Sequence, residues 1–256
     1  MKTITLLTDF GLKGPYVAIM KGVILSINPA VRIIDVTHEV DPQDMREGAF
    51  LVREYYRYFE RGTIHVAIVD PTVGSKRKPV AFEKDGHFFV GPDNGLFTLL
   101  IDDSTKVYGI ENSKYMLREV STTFHGRDIF APASAHLSFG VHPSVFGGPV
   151  ANPVRLARIL PTIKKDAIRG QVVRFDRFGN AITNITMNMA REFSQERPFT
   201  ITLAGISLAS ISKGYFEQDF TCVEGSSGYL EFGYFRGSLR EVKGVKKGDP
   251  VTVKLD

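Results

Sequence analysis

The sequence has a single cysteine, no tryptophan and no long apolar run. Cys222 has no internal partner for a disulfide, so the chain suits a reducing compartment and offers no cysteine-based metal site. No segment approaches the roughly 20 consecutive apolar residues that a membrane-spanning helix requires. Met1 leads directly into a strand-like run, Thr3–Thr8, without the apolar stretch of a signal peptide. The sequence therefore predicts a cytoplasmic protein with no membrane association.

Several common functional motifs are also missing. The chain has no nucleophile elbow, no phosphate-binding loop, no dinucleotide fingerprint and no His-Glu-x-x-His zinc helix. Its six histidines are scattered without the spacing of metal ligands. The net charge of +4 comes from dispersed basic residues, and the densest basic segment, 236–247, lacks the interleaved aromatic side chains of a base-stacking surface. We therefore expect no metal, no cofactor and no nucleic-acid partner.

The composition is that of an ordinary globular protein, and the first 160 residues alternate short apolar strands with helical patterns. Hydrophobic residues make up 43% of the chain and charged residues 23%, which suffices for a core without disulfides or metals. Strands that alternate with helices predict an α/β domain, a mostly parallel sheet with helices on both faces. The predicted strands are 3–8, 31–36, 64–69, 80–83 and 88–90, and the predicted helices are about 14–27, 41–59, 95–101 and one after Gly126.

The pattern changes near residue 160, after which apolar residues come in short runs separated by glycines. Frequent turn residues without a long amphipathic helix predict a small antiparallel sheet or barrel. The predicted strands are 171–175, 199–203, 229–232 and 250–255. We therefore expect two domains, an α/β domain at 1–160 and a β-barrel-like domain at 161–256.

Polar side chains follow the predicted strands of the first domain. They are Asp9, Asp35, His38, Asp70 and the pair Asp93-Asn94. Such residues often cap turns and helices, but ligands of open parallel sheets bind beyond the carboxyl ends of the strands. Their convergence on one edge predicts that at least one of them contacts a ligand.

Two further residues extend this candidate site. Arg77 follows Asp70 in a loop with proline and glycine, and His125 stands just before a glycine and a predicted helix. A lone histidine is more often structural than catalytic. Opposite Asp70 and Arg77, however, His125 completes a plausible device for orienting and deprotonating water. The residues alone therefore predict an α/β enzyme with a carboxylate site at the strand ends.

Six segments, taken in order, resemble those of the SAM hydroxide adenosyltransferase family, relatives of the bacterial fluorinase and chlorinase. Each motif is weak alone, but the ordered set spans nearly the whole chain and is specific. Thr72 departs slightly from the pattern, since glycine is commoner there. The matching segments are Leu7-Thr8-Asp9-Phe10-Gly11, Val69-Asp70-Pro71-Thr72-Val73-Gly74, Gly91-Pro92-Asp93-Asn94-Gly95, Phe124-His125-Gly126-Arg127-Asp128, Asp176-Arg177-Phe178-Gly179-Asn180 and Gly225-Ser226-Ser227-Gly228-Tyr229-Leu230.

The resemblance implies a metal-independent hydrolase that cleaves S-adenosyl-L-methionine (SAM) with water into adenosine and methionine. SAM is then the substrate, and the catalytic trio is Asp70, Arg77 and His125. The family also implies a homotrimer whose sites lie where the N-terminal domain of one subunit meets the C-terminal domain of its neighbour. The implied substrate contacts are Asp9 for the ribose hydroxyls, with Phe10, Asp93 and Asn94 nearby, Phe178 and Asn180 for the adenosyl part, and Asp176, Ser226 and Ser227 for the methionine end.

The sequence leaves two alternatives to SAM hydrolysis, a halogenase and a non-catalytic sensor. A SAM-dependent halogenase would use chloride or fluoride, but halide-using relatives carry a small hydroxyl residue at the position of His125. The fluorinase type also has an extra loop for which the short path from Asp70 to Asp93 leaves no space. A non-catalytic SAM sensor would need Asp9 and the adenosyl contacts but not the trio.

Overall fold

The computed structural model describes residues 1–256. The chain folds into two compact units, Met1–Leu156 and Ala157–Asp256. None of its helices combines the length and the apolar character needed to cross a membrane.

The first unit is built on a six-stranded sheet with the order β2-β1-β3-β5-β4-β6. Neighbouring strands among β2, β1, β3 and β5 run parallel, while β4 is antiparallel to β5 and to β6. The predicted mostly parallel sheet is thus confirmed. The strands are β1 (Thr3–Thr8), β2 (Arg32–Thr37), β3 (Ile64–Ile68), β4 (Pro79–Lys84), β5 (His87–Pro92) and β6 (Val107–Gly109).

Helices cover both faces of this sheet, as predicted. Side chains alternate along β1, so that Ile4 and Leu6 join the core cluster that includes α1 and α3, while Leu7 joins the cluster that includes α2. The helices are α1 (Tyr16–Ile27), α2 (Met45–Tyr55) and α3 (Ala131–Ser138). A π-helical segment, Gly126–Phe130, leads directly into α3.

The helix predicted at 95–101 is wrong, because this segment forms consecutive turns. Side chains take the carbonyls that a helix would use. The Thr98 hydroxyl donates to the Gly95 carbonyl at 2.6 Å, and Arg53 donates to the Leu99 carbonyl at 2.8 Å. Competition of this kind favours turns over helix.

The second unit confirms the barrel-like β fold. Its strands follow the order β11-β10-β14-β8-β9-β13-β12, with β7 paired to β8, and each named pair is antiparallel. The elements are β7 (Thr162–Ile163), β8 (Ala167–Phe175), β9 (Ala181–Thr186), α4 (Met187–Ser194), β10 (Phe199–Leu203), β11 (Ile206–Leu208), β12 (Phe220–Glu224), β13 (Tyr229–Tyr234), α5 (Leu239–Lys243) and β14 (Pro250–Leu255).

A buried polar chain crosses the sheet of the first unit. His65 is fully buried, and its Nδ1 lies 2.8 Å from the Thr5 hydroxyl. Its Nε2 lies 3.2 Å from Nδ1 of His87. Burial, together with the charge of His87, lowers the pKa of His65 to about 3, so this ring is neutral at physiological pH.

Candidate active site

Asp70, Arg77 and His125 are in direct contact within the first unit. Arg77 Nε donates to Asp70 Oδ2 at 2.8 Å, and Arg77 Nη2 donates to the same oxygen. Arg77 Nη2 also lies 2.8 Å from His125 Nδ1. Arg77 is therefore the centre of the cluster, since it links the carboxylate at the end of β3 to the ring before the π-helical segment.

The ion pair of Asp70 with Arg77 is almost completely shielded from solvent. The two side chains are only 4% and 6% exposed, and the Arg77 guanidinium lies over the Phe130 ring, 5.3 Å from its centre. Arg77 Nη1 is buried without a hydrogen-bond partner in the protein. A buried guanidinium donor without a partner is costly, so this nitrogen is suited to an oxygen or anion supplied by a ligand.

His125 is held as a neutral ring. Because arginine only donates hydrogen bonds, Nδ1 of His125 must accept from Arg77 and carries no proton. Burial and the Arg77 charge lower the pKa of His125, although a hydrogen bond to the Ser121 backbone acts in the opposite direction. The proton of the neutral ring therefore lies on Nε2, and Nδ1 holds Arg77 in place.

Local sequence brings these loops together. The loop from Asp70 to Arg77 turns at Gly74, whose φ of +78° favours glycine. A side chain there would also collide with the Thr122 carbonyl, 2.2 Å from the position of its Cβ. Only glycine therefore lets this loop pack against the segment that presents His125.

Asp9 and Phe10 follow β1 directly. The Asp9 carboxylate accepts a hydrogen bond from the Gln43 backbone at 2.9 Å, so it holds a neighbouring loop whether or not a ligand is present. The Phe10 ring packs edge-on against Phe124, with 6.1 Å between ring centres. Since Phe124 precedes His125, the end of β1 and the histidine loop share one aromatic cluster, which includes Tyr16.

Asn94 and Asp93 both make hydrogen bonds within the protein. Asn94 Nδ2 donates to the carbonyl of Val69 at 2.8 Å, which fixes the backbone immediately before Asp70. Asp93 accepts from the Val154 backbone at 2.8 Å, and burial raises its pKa. Asn94 thus supports the catalytic candidate Asp70 from the neighbouring strand.

Asp35, which lies within β2 rather than after it, and His38, which follows β2, form a chain of contacts to Thr8. His38 is 3% exposed, and its Nδ1 lies 2.8 Å from the hydroxyl of Thr8. Its Nε2 lies 3.0 Å from Asp35, which also accepts from Lys21. These partners make His38 a residue that fixes the end of β1.

The substrate-binding residues expected in the second unit line one cleft. The cleft encloses about 390 Å³, and its walls include Asp176, Phe178, Asn180, Ser226 and Ser227. Carboxylates and cations share this lining, among them Glu231 and Lys213.

The loop that carries these residues is held by its own side chains. Asp176 Oδ1 accepts from the backbone of Phe178 at 2.9 Å and of Asn180 at 2.8 Å, while Oδ2 accepts from the Asn180 side chain at 2.9 Å. Phe178, in the middle of this loop, is 77% exposed. Asp176 thus shapes the loop and presents an aromatic ring at the surface.

One carboxylate group could in principle hold a metal ion. Oxygens of Asp41, Asp44 and Glu47 lie within 4.8 Å of one another. Asp44, however, accepts from the Glu47 backbone at 2.9 Å at the start of α2, and Glu47 accepts from the Asp41 backbone at 3.3 Å. Asp44 is thus the N-cap of α2, and Glu47 reaches back to the segment before it, so capping of the helix accounts for these carboxylates.

Three residues near the trio carry no role in the sequence analysis. Phe130 lies beneath Arg77, the Thr72 hydroxyl donates to Asp70 Oδ1 at 3.3 Å, and fully buried Asp128 accepts from the Ser121 backbone at 2.9 Å. In the sequence, only Asp128 shows a sign of a special role, because it is an acidic residue inside an apolar helical pattern. The sequence around Phe130 and Thr72 shows no such sign.

The sequence profile of the SAM hydroxide adenosyltransferase N-terminal domain matches residues 4–147, and that of the C-terminal domain matches residues 170–252. A protein of Thermus thermophilus named (R)-S-adenosyl-L-methionine hydrolase is 36% identical over 98% of this chain and 99% of its own. A protein of Methanocaldococcus jannaschii with the same name is 34% identical over 98% and 95%. A fluorinase of an Actinoplanes species is 30% identical over 71% of each chain.

Solved structures agree with these sequence matches. The crystal structure of an uncharacterized conserved protein from Thermotoga maritima superposes with a TM-score of 0.89 at 31% identity, over 98% of this chain and 99% of that one. A conserved hypothetical protein from Thermus thermophilus superposes with a TM-score of 0.78 at 34% identity, over 99% and 100%. Because both domain profiles match and two relatives match over at least 95% of their length, the chain belongs to the SAM hydroxide adenosyltransferase family.

Proposed function

We propose that this protein hydrolyses SAM by attack of water or hydroxide on the ribose 5′ carbon, releasing adenosine and L-methionine. The observation that carries the proposal is the buried Asp70–Arg77–His125 cluster, in which Arg77 Nη1 has no partner in the protein. Two relatives matched over at least 95% of their length carry the name (R)-S-adenosyl-L-methionine hydrolase, which is consistent with this chemistry.

The reaction needs little beyond positioning and a dry site. The sulfonium leaves as a neutral thioether, so no general acid is required. Hydroxide that attacks a cation cancels two charges, and a pocket with little water therefore favours the transition state. The protein must align an oxygen nucleophile with the breaking bond.

Each member of the trio has a distinct role in this mechanism. Arg77 Nη1 binds the attacking oxygen and stabilises its negative charge. Asp70 accepts the proton of the water through Oδ1, the carboxylate oxygen that Arg77 does not bind. His125 keeps Arg77 in place, because its Nδ1 accepts from the guanidinium at 2.8 Å.

The substrate contacts divide between the two units. Asp9 binds the ribose hydroxyls, since a carboxylate can accept from them as well as from Gln43, and Phe10, Asp93 and Asn94 shape the strand ends around it. In the second unit, Phe178 and Asn180 hold the adenosyl part. Asp176, Ser226 and Ser227 hold the methionine end, where the mixed charges of the cleft suit an amino-acid zwitterion.

We also propose that the enzyme is a cytoplasmic homotrimer that requires neither metal nor cofactor, with sites shared between subunits. Complementation tests the shared site. Mixing two inactive variants, Asp70→Asn and Ser226→Trp, should restore activity if one site uses residues from two chains. No recovery after co-expression, with a trimer present by light scattering, would contradict the shared site.

The central experiment is incubation of the purified protein with SAM in ¹⁸O-labelled water. Adenosine labelled at the 5′ oxygen, at the same rate with and without a chelator, is the expected result. The two sulfonium epimers should be assayed separately, because the names of the relatives specify the R form. Formation of 5′-chloroadenosine in physiological chloride would instead support the halogenase alternative, and binding without turnover would support a sensor.

A further inference from the structure

We propose that Asp128 is a positioning residue for the trio, acting on Arg77 through the Ser121 backbone and the His125 ring. This inference rests on the proposed hydrolase function and extends it to a residue that touches neither Asp70 nor Arg77. Asp128 lies in the π-helical segment Gly126–Phe130, three residues after His125. Departures from α-helical geometry of this kind are frequent at functional sites.

The Asp128 carboxylate is fully buried and fully engaged. Its Oδ2 accepts from the Ser121 backbone at 2.9 Å. Its Oδ1 accepts from Arg127 Nε at 2.5 Å, and Arg127 Nη2 lies 3.1 Å from Oδ2. Burial alone would raise the pKa of Asp128, but the hydrogen bonds from Arg127 and Ser121 outweigh it and leave the pKa lowered. The group is therefore a carboxylate at neutral pH.

Hydrogen bonds close the segment 121–128 into a braced loop. The Phe124 backbone donates to the Ser121 hydroxyl at 3.0 Å, and the Asp128 backbone donates to the Phe124 carbonyl at 3.1 Å. Together with the bond from the Ser121 backbone to the carboxylate, these contacts fix both ends of the loop. His125 lies inside the loop, so its ring has a fixed base.

The brace reaches the reacting groups by way of the ring. His125 lies inside the loop that the bond from the Ser121 backbone to Asp128 closes, and its Nδ1 accepts from Arg77 at 2.8 Å. If Ser121 moved, the ring could rotate or change tautomer, and Nδ1 would then present a proton to a donor. Arg77 would lose the contact that aims its guanidinium.

A purely structural role is the competing explanation, since a buried carboxylate that loses its charge can destabilise a fold. The two roles differ in what they change. A structural residue lowers the melting temperature and the fraction of folded enzyme, whereas a positioning residue lowers kcat of the folded enzyme without changing the KM for SAM. Arg127 is a second position at which to apply this comparison: its own side chain is 36% exposed, but its loss leaves the fully buried Asp128 carboxylate without its ion-pair partner, so kcat must be expressed per folded enzyme.

The first test compares Asp128→Asn and Arg127→Met with a matched control, Lys84→Met, which removes a surface ion pair with Asp102 elsewhere in the same unit. We expect Asp128→Asn to lower kcat by about 10- to 100-fold, the scale of a misplacement transmitted to a reacting group, with KM within about twofold. Arg127→Met should show a smaller loss of the same kind, Arg127→Lys should recover part of it, and Lys84→Met should show none. Unchanged kcat in folded Asp128→Asn enzyme would overturn the proposal.

The second test asks whether Asp128 acts through His125. In a His125→Ala background, Asp128→Asn should cause no further loss, because the ring that transmits the effect is absent. Equal losses in both backgrounds would refute this route.

The third test needs no activity and separates this inference from the proposed function. ¹⁵N NMR of the His125 imidazole in the wild-type protein should show one tautomer, with Nδ1 unprotonated. In Asp128→Asn the same ring should show a mixture of tautomers or a shifted pKa of His125. If the wild-type protein leaves SAM intact, the proposed function fails while this result still decides the inference. An identical His125 spectrum in the wild type and Asp128→Asn would refute the positioning role.

Discussion

The two units differ most sharply in their ionisable groups. All six histidines lie in the first unit and none in the second. The candidate reaction centre of the first unit consists of side chains bonded to one another, and its Asp70–Arg77 ion pair is almost free of solvent. The cleft of the second unit is shaped by backbone bonds to Asp176 and presents a highly exposed Phe178. The first arrangement is set before a ligand arrives, whereas the second needs a ligand to cover its aromatic ring.

Acid should affect the first unit much more than the second. The pKa of His65 is about 3 in the folded chain, against 6.5 for a free side chain. Above pH 6.5 both states are neutral and the group contributes nothing. Below pH 6.5 the unfolded state takes up the proton first, so the free energy of unfolding decreases, by about 4 kcal/mol at pH 3.

Hydrogen exchange of the full chain, corrected for intrinsic rates at each pH, measures this difference. Protection in residues 1–156 should fall between pH 6 and 4 before protection in residues 157–256 does. His65→Asn, which keeps a polar partner for Thr5, should flatten the acid dependence. Simultaneous loss in both units would show that other groups dominate.

Asp70→Asn should abolish most chemistry while leaving binding intact. Without the carboxylate there is no proton acceptor, and we expect the single-turnover rate to fall by about 10²- to 10⁴-fold. The double variant Asp70→Asn/His125→Ala should be little worse than the poorer single variant, because the trio acts as a unit. Rapid-quench assays with Asp103→Asn as a surface control measure this, and losses that multiply would show independent roles.

Asp9→Ala should chiefly weaken substrate binding. Loss of charge-assisted hydrogen bonds to the ribose hydroxyls should cost about 2–4 kcal/mol. Calorimetry in an Asp70→Asn background measures the affinity without consuming SAM. Unchanged affinity would leave Asp9 with only its observed role as the acceptor for Gln43.

Phe178→Ala should have the smallest effect of the four and should act on KM. Stacking of an aromatic side chain on a base contributes about 1–3 kcal/mol. The KM for SAM should therefore rise by about 5- to 150-fold, with kcat nearly unchanged. Phe216→Ala is the matched control, because Phe216 is 73% exposed in the same unit and is not among the residues that line the cleft. An equal rise in both variants would contradict a specific contact.

Local patterns predicted much of the fold, and long-range contacts account for the errors. The bounds of β1, β10 and β14 agree with the apolar runs, since turn residues flank each. The strand β9 was missed because Thr183 and Asn184 interrupt its apolar pattern, although both are buried. The turns at 95–101 depend on Arg53, which is distant in sequence.

The site shows the same division. The resemblance supplied Asp70, Arg77 and His125 as a set, and the structure brings them into contact. The tautomer of His125 depends on which atoms its two nitrogens meet. The brace of Asp128 depends on the π-helical turn of its backbone. Neither can be deduced from the order of residues alone.

The single cysteine offers a built-in reporter for the second unit. Cys222 is fully buried, and burial raises the pKa of its thiol to about 12. Since the thiolate is the reactive form, thiol reagents should leave the native enzyme unmodified and label it only when the β-barrel-like unit opens. The rate of Cys222 alkylation then measures how often that unit opens. The measurement uses the full-length protein and needs neither a purified fragment nor an added dye.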